Sequence, residues 1–103
     1  MTVQKVKDLI CHGKADLVGD AVRSTIDAGC DPEALLQGMV SAVDDLEERL
    51  EKGEILVPEM LLAVKAMKAG AAVIRPCLSA ETISRLDRWL FEPRQRKFII
   101  HGR

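Results

Sequence analysis

The sequence predicts an all-α protein, an antiparallel four-helix bundle followed by one additional C-terminal helix and a short extended tail. Three observations carry that expectation. Along most of the chain apolar residues recur at intervals of three and four rather than alternately. Gly and Pro divide the chain into segments of helical length joined by short links, which makes neighbouring helices antiparallel. The composition, 48% hydrophobic and 30% charged with two Phe, one Trp and no Tyr, leaves Leu, Val, Ile, Ala and Met to build the core, a mixture that favours helices over strands. At 103 residues there is room for one small core.

Val3, Val6 and Ile10 recur at helical spacing before Gly13, which places a first helix over residues 2–12. Leu17, Ala21, Val22 and Ile26 do the same from Lys14 to Ala28, and Gly29 is a natural left-handed stop. Asp31-Pro32 restarts the helix, because the carboxylate can accept from orphan N–H groups while proline occupies the first helical position, where no donor is needed. From there Leu35, Leu36, Met39, Val40, Val43, Leu46 and Leu50 trace one apolar stripe up to Gly53. Ile55-Leu56-Val57 is an apolar hinge, and Pro58-Glu59 resembles the first turn of a fourth helix. That helix carries Leu61, Leu62, Val64, Met67, Ala71 and Ile74, with small Ala63, Ala66, Ala69, Gly70 and Ala72 allowing close approach of a neighbour, until Arg75-Pro76 stops it.

Residues 1–76 are therefore expected to form the bundle, and residues 77–103 an additional helix and a basic extended tail. Ser79 can cap the fifth helix, which sets Ile83, Leu86, Trp89 and Leu90 on one side and ends before Glu92-Pro93. Lys97-Phe98-Ile99-Ile100-His101 has the shape of a first buried strand, the start of a missing or truncated further domain.

A net charge of −1 gives no global field to attract a nucleic acid, so none is expected as a partner. Charge is uneven all the same. Asp31 to Glu59 holds nine acids against Arg49 and Lys52, and Arg85 to Arg103 holds six basic residues against Asp87 and Glu92. The N-terminus Met-Thr-Val-Gln-Lys lacks the apolar run of a signal peptide, and no stretch approaches the ~20 apolar residues of a membrane span, so a cytoplasmic protein is expected. Cys11, Cys30 and Cys77 form no C-x-x-C pair and sit among aliphatic residues, which reads as buried thiols rather than a disulfide framework or zinc site.

Three segments taken together carry a resemblance: Ala28-Gly29-Cys30-Asp31-Pro32, then Leu50-Glu51-Lys52-Gly53-Glu54-Ile55-Leu56-Val57-Pro58-Glu59-Met60, then Ala66-Met67-Lys68-Ala69. Over about residues 3–76 the chain resembles the N-terminal helical cap of cobalamin-dependent methyl-transfer proteins, as in methionine synthase and the methanol and methylamine corrinoid proteins. The most specific part is Gly53-Glu54, three apolar residues and Pro58-Glu59, placed after an acidic helix and before an Ala-Met-Lys helix. The resemblance implies a bundle that covers the upper face of cobalamin and shields its methyl group, while a Rossmann-like domain holds the cofactor from below. It implies that Leu50, Val57 and Met60 face the methyl group, with Leu50 standing where the family often has phenylalanine. Gly53 and Pro58 would shape the loop, and Glu54 and Glu59 would cap backbone donors rather than do acid–base work. The implied partner is a corrinoid-holding domain or a methyltransferase.

The family's second domain carries Asp-x-His-x-x-Gly, whose histidine ligates cobalt, and these 103 residues contain no such motif. His12 in Cys-His-Gly-Lys and His101 in Ile-His-Gly-Arg lack the preceding aspartate, so neither inherits that role. The chain looks like the cap without its cofactor-holding domain, and cobalamin is not expected to bind tightly to it alone. Cys11-His12 are sequence neighbours whose side chains point about 100° apart on a helix, a poor metal site or nucleophile–base couple. Asp44, Asp45, Glu47, Glu48 and Glu51 read as a solvated helix face, interrupted by Arg49. No phosphate loop, Ser/His/Asp arrangement or carboxylate pair appears, so no catalytic residue and no metal ligand is expected. The alternative is a stand-alone interaction protein that has lost cobalamin and self-associates as a homodimer through its apolar end and Phe98 to Ile100.

Overall fold

A computed structural model describes residues 2–90, and among these there are five α-helices and no strand. The helices are α1 (Val3–Cys11), α2 (Ala15–Asp27), α3 (Pro32–Glu51), α4 (Val57–Ile74) and α5 (Ala80–Leu90), with a 3-10 turn at Arg75–Cys77. The strand expected near Phe98 lies outside the described residues.

Local chemistry sets most of the boundaries. Thr2 caps α1 by accepting from the Lys5 amide at 3.3 Å. Gly13, Gly29 and Gly53 each follow a helix with positive φ, at 69°, 102° and 77°, a left-handed exit that residues with a Cβ rarely take. Asp31 does stand at the N-cap of α3 with Pro32 behind it, but its carboxylate makes no capping hydrogen bond. The side chain is exposed, so water can serve it instead, and Pro32 has already removed one of the donors in need of a partner. Ser79 behaves as expected: its Oγ accepts from the Thr82 amide at 3.2 Å, and its carbonyl accepts from Ile83.

The helices run up, down, up and down. Val3 and Lys7 of α1 lie against Gly38 of α3, so these helices share a direction, and Val18, Val22 and Gly19 of α2 lie against Gly70 and Val73 of α4 in the same manner. The most extensive contact is α2 on α4, then α1 on α3, and α4 touches α1, α2 and α3. Between them lies one continuous core: Val6 and Ile10; Val18, Ala21 and Val22; Leu35, Leu36, Met39, Ala42, Val43 and Leu46; and Met60, Ala63, Ala66, Met67, Ala71 and Ile74. The buried Thr25 hydroxyl is satisfied within its own helix, donating to the Ala21 carbonyl at 2.7 Å. At the end away from the 52–56 link, α5 lies against the first half of α3. Leu86 and Leu90 are buried there, Thr82 donates to Glu33 at 2.8 Å, and Arg75 pairs with Asp87.

Two further expectations fail. Leu17, Leu61 and Leu62 are exposed rather than core, because α2 turns Val18, Ala21, Val22 and Thr25 inward and α4 turns Met60, Ala63, Ala66 and Met67 inward. The cysteines are not buried thiols: Cys11 and Cys77 are exposed and Cys30 is half-buried, all three free.

A Cβ on Gly70 would lie 2.6 Å from Met39 Cε and 2.7 Å from Val18 Cγ1. Met39 can swing aside, but the branched Val18 cannot. Gly70→Val is therefore expected to destabilise the bundle by about 1–3 kcal/mol, lowering the melting temperature by roughly 4–8 °C per kcal/mol. An unchanged melting curve would show that α2, α3 and α4 are not in tight register here.

Candidate functional site: the apolar end of the bundle

The alternation of helix direction brings two links, residues 12–14 and 52–56, to one end, together with the first turns of α2 and α4. The 12–14 link closes on α4: a Cβ on Gly13 would come 2.8 Å from Leu62 Cβ. The 52–56 link is fixed from the α4 side, where the Glu59 carboxylate accepts from the Leu56 amide at 2.9 Å. This is one half of a capping box, since leucine offers no acceptor to complete it. It bears out a capping role for Glu59. Leu56 is held in extended backbone, φ −97° and ψ 158°, with its side chain outward.

All five exposed large apolar residues among those described are Leu17, Leu56, Val57, Leu61 and Leu62, and all lie at this end. Leu56 is 67% exposed. The reason lies in α4: once Met60 and Ala63 point inward, positions 57, 61 and 62 must point out. Ile55 and Leu50 are half-buried and pack against the core beside them. Of the three residues singled out from the sequence, Val57 lies on the uncovered surface, Leu50 lies at its edge, and Met60 is 0% exposed and supports the surface from beneath. Leu17, Leu56, Leu61 and Leu62 were missed. The signal available was Leu61-Leu62 directly after Met60, three large apolar residues in a row that no single helix face can bury.

The α3 side of the same end is polar. Asp45, Glu48, Arg49, Lys52 and Glu54 line a recess of about 230 Å³, and Lys52 pairs with Glu48 at 3.5 Å in full view of solvent, where such a pair contributes little. Partial burial pushes the Cys11 thiol up from its ordinary value, reinforced by Asp8 and Asp45 and opposed by Arg49 and Lys7. His12 is tethered through Nδ1 to the Asp8 carbonyl at 2.7 Å. Among the described residues no three His, Cys, Asp or Glu side chains converge on a metal site, and no helix is long and apolar enough to cross a membrane.

Fold and site together define a small all-α binding domain with one uncovered apolar surface. Residues 2–75 match the B12 binding domain family, and the chain belongs to that family. Trimethylamine corrinoid protein 1 of Methanosarcina mazei is 32% identical over 75 residues, 72% of this chain and 35% of the relative. The trimethylamine corrinoid protein of Methanosarcina barkeri is 29% identical over the same shares. A corrinoid protein of Desulfitobacterium hafniense is 23% identical over 83 residues, 80% of this chain and 38% of the relative. The chain thus spans about a third of the length of the curated relatives it matches. No solved structure matches it.

Because only the thiolate reacts with alkylating agents, the raised Cys11 value has a direct consequence. The rate of iodoacetamide labelling at Cys11 should still be climbing as pH passes 9.0, the ordinary thiol value. A plateau reached below that pH would contradict the partial burial of the sulfur.

Proposed function

We propose that the bundle is the cobalamin-covering cap of a corrinoid methyl-transfer protein, lying over the upper face of a corrin held by a separate corrinoid-holding domain. One observation carries the reading: every exposed large apolar side chain among the described residues gathers at the α3–α4 end, in a chain of the B12 binding domain family. A corrin presents a broad, largely apolar face, and a leucine-rich surface fits that face. The cofactor would supply the methyl-carrying cobalt; this chain supplies a cover.

In this reading Val57 and Leu50 lie against the cofactor, Leu56 widens the contact, and Met60 keeps the surface in place from the core side. Their work is to exclude water and oxidants from the reacting centre and to part from it when the donor or acceptor arrives. Apolar contact suits both demands, because it has no directional bonds to break on opening. The family match supports taking residues 1–76 as the cap and residues 77–103 as an appendage to it. A methyltransferase as working partner and a cytoplasmic setting belong to the same proposal.

Titration of the chain with methylcobalamin and hydroxocobalamin, with and without a corrinoid-holding domain from a relative, tests this. Binding is expected only when that domain is present. Val57→Lys and Leu56→Lys should each weaken the association by tenfold or more, since burying one such side chain is worth about 1.5–3 kcal/mol. Met60 is the wrong position to vary, because a charge there would enter the core. Full-strength association by both lysine variants would place the corrin elsewhere.

A second reading is favoured by Leu17, Leu61 and Leu62, which carry the apolar surface beyond the link and along α2 and α4. An uncovered patch of this kind often marks a protein contact, and a homodimer through it is the alternative to cobalamin binding. Sedimentation distinguishes them: the dimer reading expects a dimer that Leu61→Glu returns to monomer, and a monomer at all concentrations removes it.

A further inference from the structure

Beside the apolar surface, on its α3 side, lies the recess of about 230 Å³ lined by Asp45, Glu48, Arg49, Lys52 and Glu54. Asp45, Glu48 and Arg49 in α3 and Lys52 at its C-cap stand three and four residues apart and so share one helix face. The Glu54 amide donates to the Arg49 carbonyl at 2.8 Å, which holds the link against the end of that face. Recess and apolar surface border each other twice. Arg49 precedes Leu50, the edge of the surface, and Glu54 stands two residues before Leu56, its most exposed member. Whatever covers the surface as far as Leu50 therefore brings its own rim to the recess.

The chemistry of the lining narrows the guest. Carboxylates accept only, while Arg and Lys donate only, so the recess offers both kinds of partner in one small space. Its charges nearly balance, with Asp45, Glu48 and Glu54 against Arg49 and Lys52. An anion would meet the carboxylates there and a cation would meet Arg49 and Lys52. An apolar group would take water from all of them and return nothing. A neutral primary amide donates through its nitrogen and accepts through its carbonyl, and is served on both counts. We infer that the recess receives an acetamide arm from the rim of the corrin, with Arg49 donating to the arm's carbonyl and Glu54 accepting from its N–H. The inference rests on the proposed covering role: a corrin carries acetamide arms on its upper face, the face that the apolar surface would cover. The arm sets orientation. Apolar contact is non-directional, whereas one held arm fixes how the ring lies against Leu50, Leu56 and Val57.

The test titrates the full 103-residue chain against a relative's corrinoid-holding domain loaded with methylcobalamin, and again with a methylcobalamin whose upper-face acetamides are replaced by methyl esters. An ester still accepts but cannot donate, and the arms on the lower face are unchanged. Arg49→Met and Glu54→Met alter exposed side chains and should keep the parent's melting curve. Each should weaken association with the amide form by about tenfold, the worth of a hydrogen bond to a charged group. With the ester form, the Glu54→Met effect should vanish and the Arg49→Met effect should remain. Parent-strength association by both variants, with Val57→Lys still weakened, would overturn the inference and leave the cover standing. A Glu54→Met effect equal on both cofactors would also overturn it, since the recess would then touch the holding protein rather than the arm. No association by the parent chain would remove the covering role, and the held arm with it.

Discussion

The fold rests on how closely α4 can be approached. Ala63, Ala66, Gly70 and Ala71 are all buried, and over Gly70 the ends of Met39 from α3 and Val18 from α2 come within 2.7 Å of where a Cβ would stand. Two neighbouring helices therefore meet at one missing side chain. A third, α1, also touches α4, so the least bulky helix serves as the shared wall of the core. Large residues along this stripe would push α2 and α3 apart and open voids that a core of this size cannot absorb.

That constraint determines the surface. With the small residues turned inward, the bulky residues in the first two turns of α4 have nowhere to go but out. Met60 is the exception and is wholly buried. Val57, Leu61 and Leu62 are left uncovered beside Leu56, which Glu59 fixes through its amide. An apolar surface at the α3–α4 end is thus a consequence of the same packing that makes the bundle. The charged recess beside it, from Asp45 to Glu54, bounds that surface on the α3 side.

The helices themselves were legible from the sequence to within a residue or so, since Gly13, Gly29, Gly53 and the prolines at 32, 58 and 76 are strong local signals whose physics needs no tertiary context. The up-and-down order followed from link length alone. Which face of α2 and α4 points inward was not legible. Leu17 and Val18 are adjacent and both apolar, and the choice between them depends on Gly70 across the interface. In α4 apolar residues occur all around the helix, so periodicity carries no direction. The site was half visible for the same reason: Val57 and Leu50 could be placed at the end from the motif, but the inward turn of Met60 and the outward turn of Leu56, Leu61 and Leu62 are decided by packing. The cysteines misled because a thiol among aliphatic residues in sequence is not a thiol among them in space.

An apolar surface can stay uncovered only if it is kept from collapsing into the core. Here the two tasks fall to neighbouring residues on one helix. Met60 is wholly buried and Val57, one turn before it, is exposed, so the surface stands on a packed base and cannot sink into the core without displacing it. Glu59 lies between them and fixes the link that leads in. The link is also tied at both ends, where the Gly53 and Glu54 amides donate to the Leu50 and Arg49 carbonyls and the Leu56 amide donates to Glu59. A surface preorganised in this way loses little entropy on being covered, and what covers it gains contact without having to reshape the bundle. On the proposed reading, the same rigidity would leave opening and closing over a ligand to movement of the whole bundle rather than of its loops.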